Sequence, residues 1–422
     1  MGMRLLDQLA STKGQFGPAS AAHAASLLER AKQTRIRDAA ELIRLHETAL
    51  YLRAYPQSHL VLRLADEILF HFAERMPTDQ DAFGDPEISG IAGTVVSTNF
   101  SYEFARSLAA RHGRAVQIDW ENFEHPERLA PALKKLIPVS RDDWAVEAHP
   151  DYRAWFEKGG GNVEWLLGTF TPEMYGLMEI PLRWDPGKRS RSHLRIPRRD
   201  FYIHGGPFLR REPGMIAKAL ASPPIPRKRL GRNRAQEIIG VIVDASAVRY
   251  RELYGFQYPN LDRIEHASPG RGIDVFLFGP ARKLPVREYL CGMYFKNGVP
   301  VGYIECLTNK GNMEVGFNLY YTFREGETAW LYAMLLKLAR EWHKGVRTFS
   351  VDPYQIGHEN EEALASGAFW FYRKLGFMPA AKELWPVLER EELRLAQPGY
   401  RTSRTTLRKL AESRMIYNLQ DT

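Results

Sequence analysis

The stretch NMEVGFNLYYTFREGETAWLYAMLLKLAREWH, Asn312 to His343, decides how the second half of this chain is read. Through Phe323 it reads as a strand. Met313 and Val315 share one side of it and Glu314 takes the other, because successive strand side chains point to opposite faces. The remainder reads as a helix, with Trp330, Met334, Leu335, Leu338 and Trp342 on its apolar side.

Working outward, the sequence is rich in strands on both flanks. Upstream, AQEIIGVIVDASAVRYRELYGF carries an amphipathic helix, and GIDVFLFG is a strand of the buried type. REYLCGMYFKNGVPVGYIECL divides into two strands around Asn297-Gly298, a strong hairpin signal. Downstream, RTFSVD is a strand, NEEALASGAFWFYRKLG a helix, and FMPA begins a last strand. Within SGAFWFYRKLGFMPA, Ser366 reads as an N-cap and Phe369, Tyr372 and Leu375 share a stripe. Gly376 stops the helix.

This order of elements, over about 270–385, resembles the GNAT acyltransferase superfamily. FYRKLGFMP, Phe371 to Pro379, looks like the helix and turn that close its acyl-CoA site. MEVGFNLYYTFREGETA looks like its fourth strand and phosphate-binding loop, and NGVPVGYIE like its second hairpin. The resemblance implies an α/β (α+β) fold with a mixed central sheet and flanking helices, and an acyl group passed to an amine. It implies two strands that splay apart to hold an acyl thioester, and a donor loop drawn from Tyr321, Arg324, Gly326, Thr328 and Ala329. Tyr372 falls where the family carries the tyrosine that protonates the departing thiolate; the alternative is a core aromatic beside Phe369 and Phe371. An amine must lose a proton before it attacks, and Glu314 is the first candidate base, with Glu305 the second. Either could equally be a solvated carboxylate.

Two departures stand out. Where the family loop has a central glycine this chain has Glu327, which satisfies a helix N-terminus itself and repels a diphosphate. Acyl-CoA is therefore the donor implied by the resemblance, through a degenerate loop. Relatives of the fold that take aminoacyl groups from tRNA lack that loop, and supply a second reading of the donor. The family's asparagine is also missing, because Ala365 stands seven residues before Tyr372. The longer connection DPYQIGHENEEALASG instead collects Asp352, Gln355, His358, Asn360 and Glu361, as a substrate site or as helix caps.

The first 235 residues lie outside the resemblance. Residues 1–82 read as a helical region, with Leu42, Leu45, Ala49 and Leu52 on one stripe and Leu60, Leu64, Ile68 and Phe72 on another. Residues 83–150 read as a small α/β segment. Gly90 and Gly93 there suit a structural turn better than a ligand loop. Residues 151–235 form a basic, proline-rich connection, 236–390 the GNAT-like domain, and 391–422 a basic helical tail.

The chain has 422 residues and a formal net charge of +8. Between Arg183 and Arg234 stand fifteen Lys and Arg against three acids, a net of +12, so the rest is slightly acidic. With Trp184, Phe201, Tyr202 and Phe208 interleaved, the segment suits an RNA, tRNA or DNA strand. It equally suits a linker wrapped on an acidic face of the same protein. A third reading of the whole follows, a nucleic-acid-binding protein whose GNAT-like domain is inactive.

No apolar run is long enough to span a bilayer, so no membrane partner is expected. Cys291 and Cys306 fit a reducing, cytoplasmic setting, each as a small buried hydrophobe. No C-x-x-C or H-x-x-x-H spacing suggests a metal.

Overall fold

The computed structural model describes residues 2–129, 152–158 and 162–419. The second part of the expected 83–150 segment, from residue 130 on, lies outside them. Among the described residues the strands form two sheets. Three short ones, β1 (Val96–Thr98), β2 (Val116–Ile118) and β3 (Leu182–Trp184), make an antiparallel sheet in the order β1-β3-β2.

The large sheet holds β4 (Arg227–Arg229), β5 (Glu265–Gly270), β6 (Ile273–Phe278), β7 (Glu288–Lys296), β8 (Val299–Asn309) and β9 (Asn312–Leu319). It continues with β10 (Thr348–Val351), β11 (Met378–Pro379) and β12 (Met415–Asn418). Their order is β11-β12-β10-β9-β8-β7-β6-β5-β4. Each neighbouring pair is antiparallel except β9 and β10, which run parallel. The fold is thus α/β, built on a large mixed sheet with helices on both faces.

The β7–β8 hairpin turns at Asn297 and Gly298, whose φ values of 48° and 83° are those a two-residue primed turn demands. That turn is gripped from outside. The Asn297 amide donates to Ala54 O at 2.8 Å and Tyr202 O at 2.9 Å, and its oxygen accepts the Tyr202 N–H at 2.8 Å. The grip ties the end of helix Ala39–Ala54 and the 200s connection to the middle of the sheet.

One face of the sheet carries helix Thr328–Trp342 and the N-terminal helices Gly2–Ser11, Pro18–Gln33, Ala39–Ala54 and His59–Phe70 in a single apolar core. Asp38 and Ser58 cap the last two of these, accepting the Glu41 and Val61 amides. The other face packs against helix Arg232–Ala247, helix Tyr102–His112 and the small sheet. Residues Leu42, Leu45, Ala49 and Leu52 are all buried as one stripe. The apolar sides of these N-terminal helices thus close over the sheet.

Helix Thr328–Trp342 differs from its expected pattern. Leu331, Tyr332, Leu335, Leu336, Leu338 and Ala339 are its deeply buried residues, while Trp330, Met334 and Trp342 are only partly covered. The reason is a second layer: helix Met215–Ala221 lies on its outer side, and even Lys337 is buried there, donating to Ser222 O at 2.7 Å.

The final helix also differs. Ser366 ends a short helix, Glu361–Ser366, and its hydroxyl donates to Ala363 O; Asn360 is the N-cap. Gly367, at φ 71°, then breaks the path before Ala368–Arg373. The expected helical tail holds helix Arg404–Ala411 and then β12, which pairs with β10 on one side and β11 on the other.

Candidate active site: the notch between β9 and β10

The parallel pair stops early. Thr348, Phe349 and Ser350 match Asn312, Met313 and Glu314, and beyond them the strands part. From Val315 onward, among the described residues, β9 has no strand on that side. A parallel ladder abandoned mid-strand leaves unpaired N–H and C=O groups, which must find other partners when covered.

One side chain supplies both. Gln355, in the one-turn helix Pro353–Ile356, accepts the Phe317 N–H at 3.2 Å through its amide oxygen. Its amide nitrogen donates to Val315 O at 3.2 Å. The two contacts reproduce the pattern of a peptide group in a sheet. The Tyr372 hydroxyl reaches the same amide oxygen at 3.5 Å, the outer limit of hydrogen bonding.

Tyr372 approaches from the face that carries helix Thr328–Trp342. Its ring packs on Tyr332, Phe371 and Phe377. Burial pushes its phenol well above the usual tyrosine range, so it holds its proton at all ordinary pH.

Glu314 lies on the opposite face. Met313 and Val315 are buried in the core shared with helix Thr328–Trp342, so alternation turns Glu314 the other way, where it is half-buried. Glu305 of β8 shares that face, because its neighbours Ile304 and Cys306 point into the same core as Met313. Glu305 stands opposite Gly316 and Glu314 opposite Leu307, which makes the two carboxylates diagonal neighbours, about 7–8 Å apart at Cα. The Tyr289 hydroxyl donates to Glu305 and itself accepts the Gly255 N–H at 3.3 Å.

Gly316 joins this face to the notch. A Cβ there would meet Glu305 Cβ and Gln355 Nε2, each at 3.7 Å. The missing side chain leaves the carboxylate pair beside the amide that fills the notch.

The other loop residues divide. Asp352 caps the Pro353–Ile356 helix, accepting the Tyr354 N–H at 2.9 Å, and Asn360 caps the next. His358 is exposed on the outside of the turn. Glu361 is exposed and pairs with Arg408, so of the five residues expected to form a substrate site in this loop, Gln355 is the one that reaches the notch.

The expected donor loop is packed against the chain's own residues. Gly326 lies against the Tyr55 ring, 2.6 Å from the position of an added Cβ. Glu327 is buried and ion-paired with Arg271, whose Nε donates at 2.8 Å; it also accepts the Leu209 N–H at 2.9 Å. A carboxylate thus occupies the start of helix Thr328–Trp342, where the dipole favours negative charge. Tyr321 is exposed with Arg324 over its ring, and Arg324 pairs with Glu362. Thr328 donates to Arg324 O at 3.0 Å, and Ala329 is buried.

Two polar clusters escaped the sequence reading. Beside Glu327, His204 lies buried among Phe16, Tyr55, Tyr202 and Phe208. Lys296 sits over the Tyr55 and Tyr202 rings at 4.7 and 4.9 Å, and burial brings its ammonium down to about 7. Elsewhere, Ser192 Oγ lies 2.9 Å from His46 Nε2, while His46 Nδ1 lies 2.8 Å from Glu47.

That Ser–His–Glu line has the shape of a nucleophile and its base, but every member is buried and Ser192 already accepts the Ala92 N–H. Glu47 also accepts from Thr322 and from Arg191 at 3.1 Å. Burial pushes the Glu47 carboxyl up, yet Arg191 and the His46 contact outweigh it and hold it at about 2. The line fastens the N-terminal helices to the 190s connection. No local motif announces it, since Ser192 and His46 are 146 positions apart.

The basic connection is largely bound to the protein itself. Arg191 and Arg195 are inside, and Arg198, Arg227, Arg232 and Arg234 pair with Asp274, Glu265, Asp262 and Glu237. Trp184 is fully buried, and Phe201 and Tyr202 lie under Arg53 and Arg271.

Among the described residues no helix is long and apolar enough to cross a membrane. Comparison with protein-family models, with curated proteins and with solved structures returns no match to this chain.

Proposed function

We propose that the chain is an acyltransferase of GNAT-like architecture, acting on an amine at the notch between β9 and β10. The observation that carries this reading is the notch itself: an N–H at Phe317 and a C=O at Val315 that no strand engages, held by a single side-chain amide. A donor arm containing an amide group offers the same acceptor and donor, and can take the place of Gln355. Glu314, or Glu305 beside it, removes a proton from the ammonium acceptor. The amine nitrogen then bonds to the acyl carbon, the acyl–sulfur or acyl–oxygen bond breaks, the leaving group takes the Tyr372 proton, and the second proton shed by the new amide nitrogen restores the tyrosine. Base and acid stand on opposite faces of the sheet, with the reacting carbonyl between them.

A donor anchored by a diphosphate at helix Thr328–Trp342 would have to displace Glu327 from Arg271. That contact favours donors that do not use this helix end, either a pantetheine-type thioester or an aminoacyl ester on RNA.

The test is a donor panel of acyl-CoA, S-acyl-pantetheine and aminoacyl-tRNA, scored by melting temperature and by mass spectrometry of products on mixed amines. It is run on the natural chain and on Gln355→Ala. A donor that stabilises the variant more than the natural protein supports the reading. Absence of both shift and product with every donor, in both proteins, refutes it.

A further inference from the structure

At the far end of β8 and β9 from the notch, the rim of the sheet opens into a cavity of about 860 Å³. Its walls are the β6–β7 connection, the β8–β9 turn and the residues that follow helix Thr328–Trp342. Seven strand positions separate Lys310 from Phe317, about 20 Å of extended chain, so the cavity is independent of the notch and of the acyl-transfer reading.

Five cations converge here: Arg263, Lys283, Arg287, Lys310 and Lys344. The one carboxylate in the lining, Glu288, is taken by His343 Nδ1 at 2.8 Å. Among the described residues none of the five cations has an ion-pair partner. The contrast with the neighbouring strip is sharp, since Arg227, Arg232 and Arg234 there each face an acid at 3.0 Å or less. Like charges gathered in a concavity with low-dielectric walls focus a positive potential, and an anion is what relieves it.

The polar wall points the same way. Thr308 Oγ1 and His343 Nε2 are buried, belong to residues lining the cavity and, among the described residues, have no hydrogen-bond partner. A covered polar atom left without a partner is destabilising until something pairs with it. Beside five unpaired cations, the Thr308 hydroxyl is a donor for a ligand rich in oxygen acceptors, whereas His343 Nε2, with Nδ1 donating to Glu288, is left as an acceptor for a ligand hydroxyl or a protonated phosphoryl oxygen.

We propose that this cavity binds a phosphate-bearing polyanion. Phosphoryl oxygens meet the Lys and Arg side chains, and the Thr308 hydroxyl donates to one of them. The phosphates belong either to a free nucleoside polyphosphate or to the backbone of a single-stranded nucleic acid, and the experiment separates these sources.

The full chain is titrated calorimetrically with inorganic triphosphate, with ATP and with a short single-stranded RNA, at low and at raised salt. Saturable binding of triphosphate and ATP identifies a small ligand. Binding of RNA alone, with a steep salt dependence, identifies a strand. In either case the paired charge reversal Lys283→Glu and Lys310→Glu, at two exposed positions, weakens binding at least about tenfold. A second variant, Arg199→Glu with Arg210→Glu in the basic connection, leaves binding unchanged. The proposal is overturned if none of the three probes binds. It is equally overturned if binding survives reversal at 283 and 310 or is lost only on reversal at 199 and 210.

Discussion

Gln355 stands beside Phe317 as a substitute for a strand: its amide oxygen accepts the Phe317 N–H at 3.2 Å where β10 has already turned away. The parting of β9 and β10 is thus a place where backbone polarity is satisfied by one removable side chain. The consequences of that arrangement can be measured.

Replacing Gln355 by Ala is expected to free both backbone groups to water. Hydrogen exchange of the Phe317 amide should accelerate, while the amides of Met313 and Val315 keep their rates. The loss of two half-buried hydrogen bonds is expected to cost about 1–2 kcal/mol, read from urea midpoints. An unchanged Phe317 rate would mean that Gln355 does not hold the notch.

Tyr372→Phe should separate chemistry from stability. Its hydroxyl has one contact, at 3.5 Å, so removing it is expected to change unfolding free energy by less than about 1 kcal/mol. With a donor and acceptor in hand, turnover should fall by about 10²–10⁴, the range for losing a positioned acid. Full activity in the variant would place the proton elsewhere.

Lys296 makes stability depend on alkaline pH. Burial lowers its folded value to about 7, below that of the unfolded chain, so the unfolded state binds more protons between about 7 and 10.5. Stability from this group therefore rises with pH across that window, by about 2 kcal/mol between pH 7 and 9. Lys296→Met should remove that slope in denaturant titrations. A slope that persists in the variant belongs to another group.

Glu47 acts at the acid end. Its folded value of about 2 lies below the unfolded 4.5, so its contribution is fully present above pH 4.5 and is lost as pH falls toward 2. The shift corresponds to roughly 3 kcal/mol. His46, lowered by burial, acts in the same sense: stability is lost as pH falls below about 6.5, because the unfolded ring takes up the proton first. Arg191→Met leaves the Glu47 carboxylate buried without its cation and is expected to cost about 3–5 kcal/mol. A urea midpoint that hardly moves would show the pair to be dispensable.

The parts of this architecture that were legible in the sequence are those decided locally. Asn297-Gly298 forces a hairpin because few other pairs adopt its backbone, and Met313-Glu314-Val315 fixes which way a carboxylate points. The stripe Leu42, Leu45, Ala49 and Leu52 likewise declares a buried side. What stayed hidden depends on encounters between distant segments. Nothing near Gly326 says that Tyr55 will lie on it, and nothing near Arg198 names Asp274 as its partner. Ser366, a serine before an apolar run, has the look of a helix start, whereas Asn360 caps the helix earlier and Gly367 interrupts it. The role of Gln355 is of the same kind: its position in the loop was visible, but its reach to Phe317 exists only once β10 ends at Val351.

The placement of β12 bears on how the molecule is made. Residues 415–418 slot between β10 and β11, both of which leave the ribosome earlier and wait with bare edges until the later strand arrives. During synthesis those edges can recruit any extended segment nearby. Assembly of this side of the sheet is therefore a late step, and the nascent chain is most prone to mispairing and aggregation just before it.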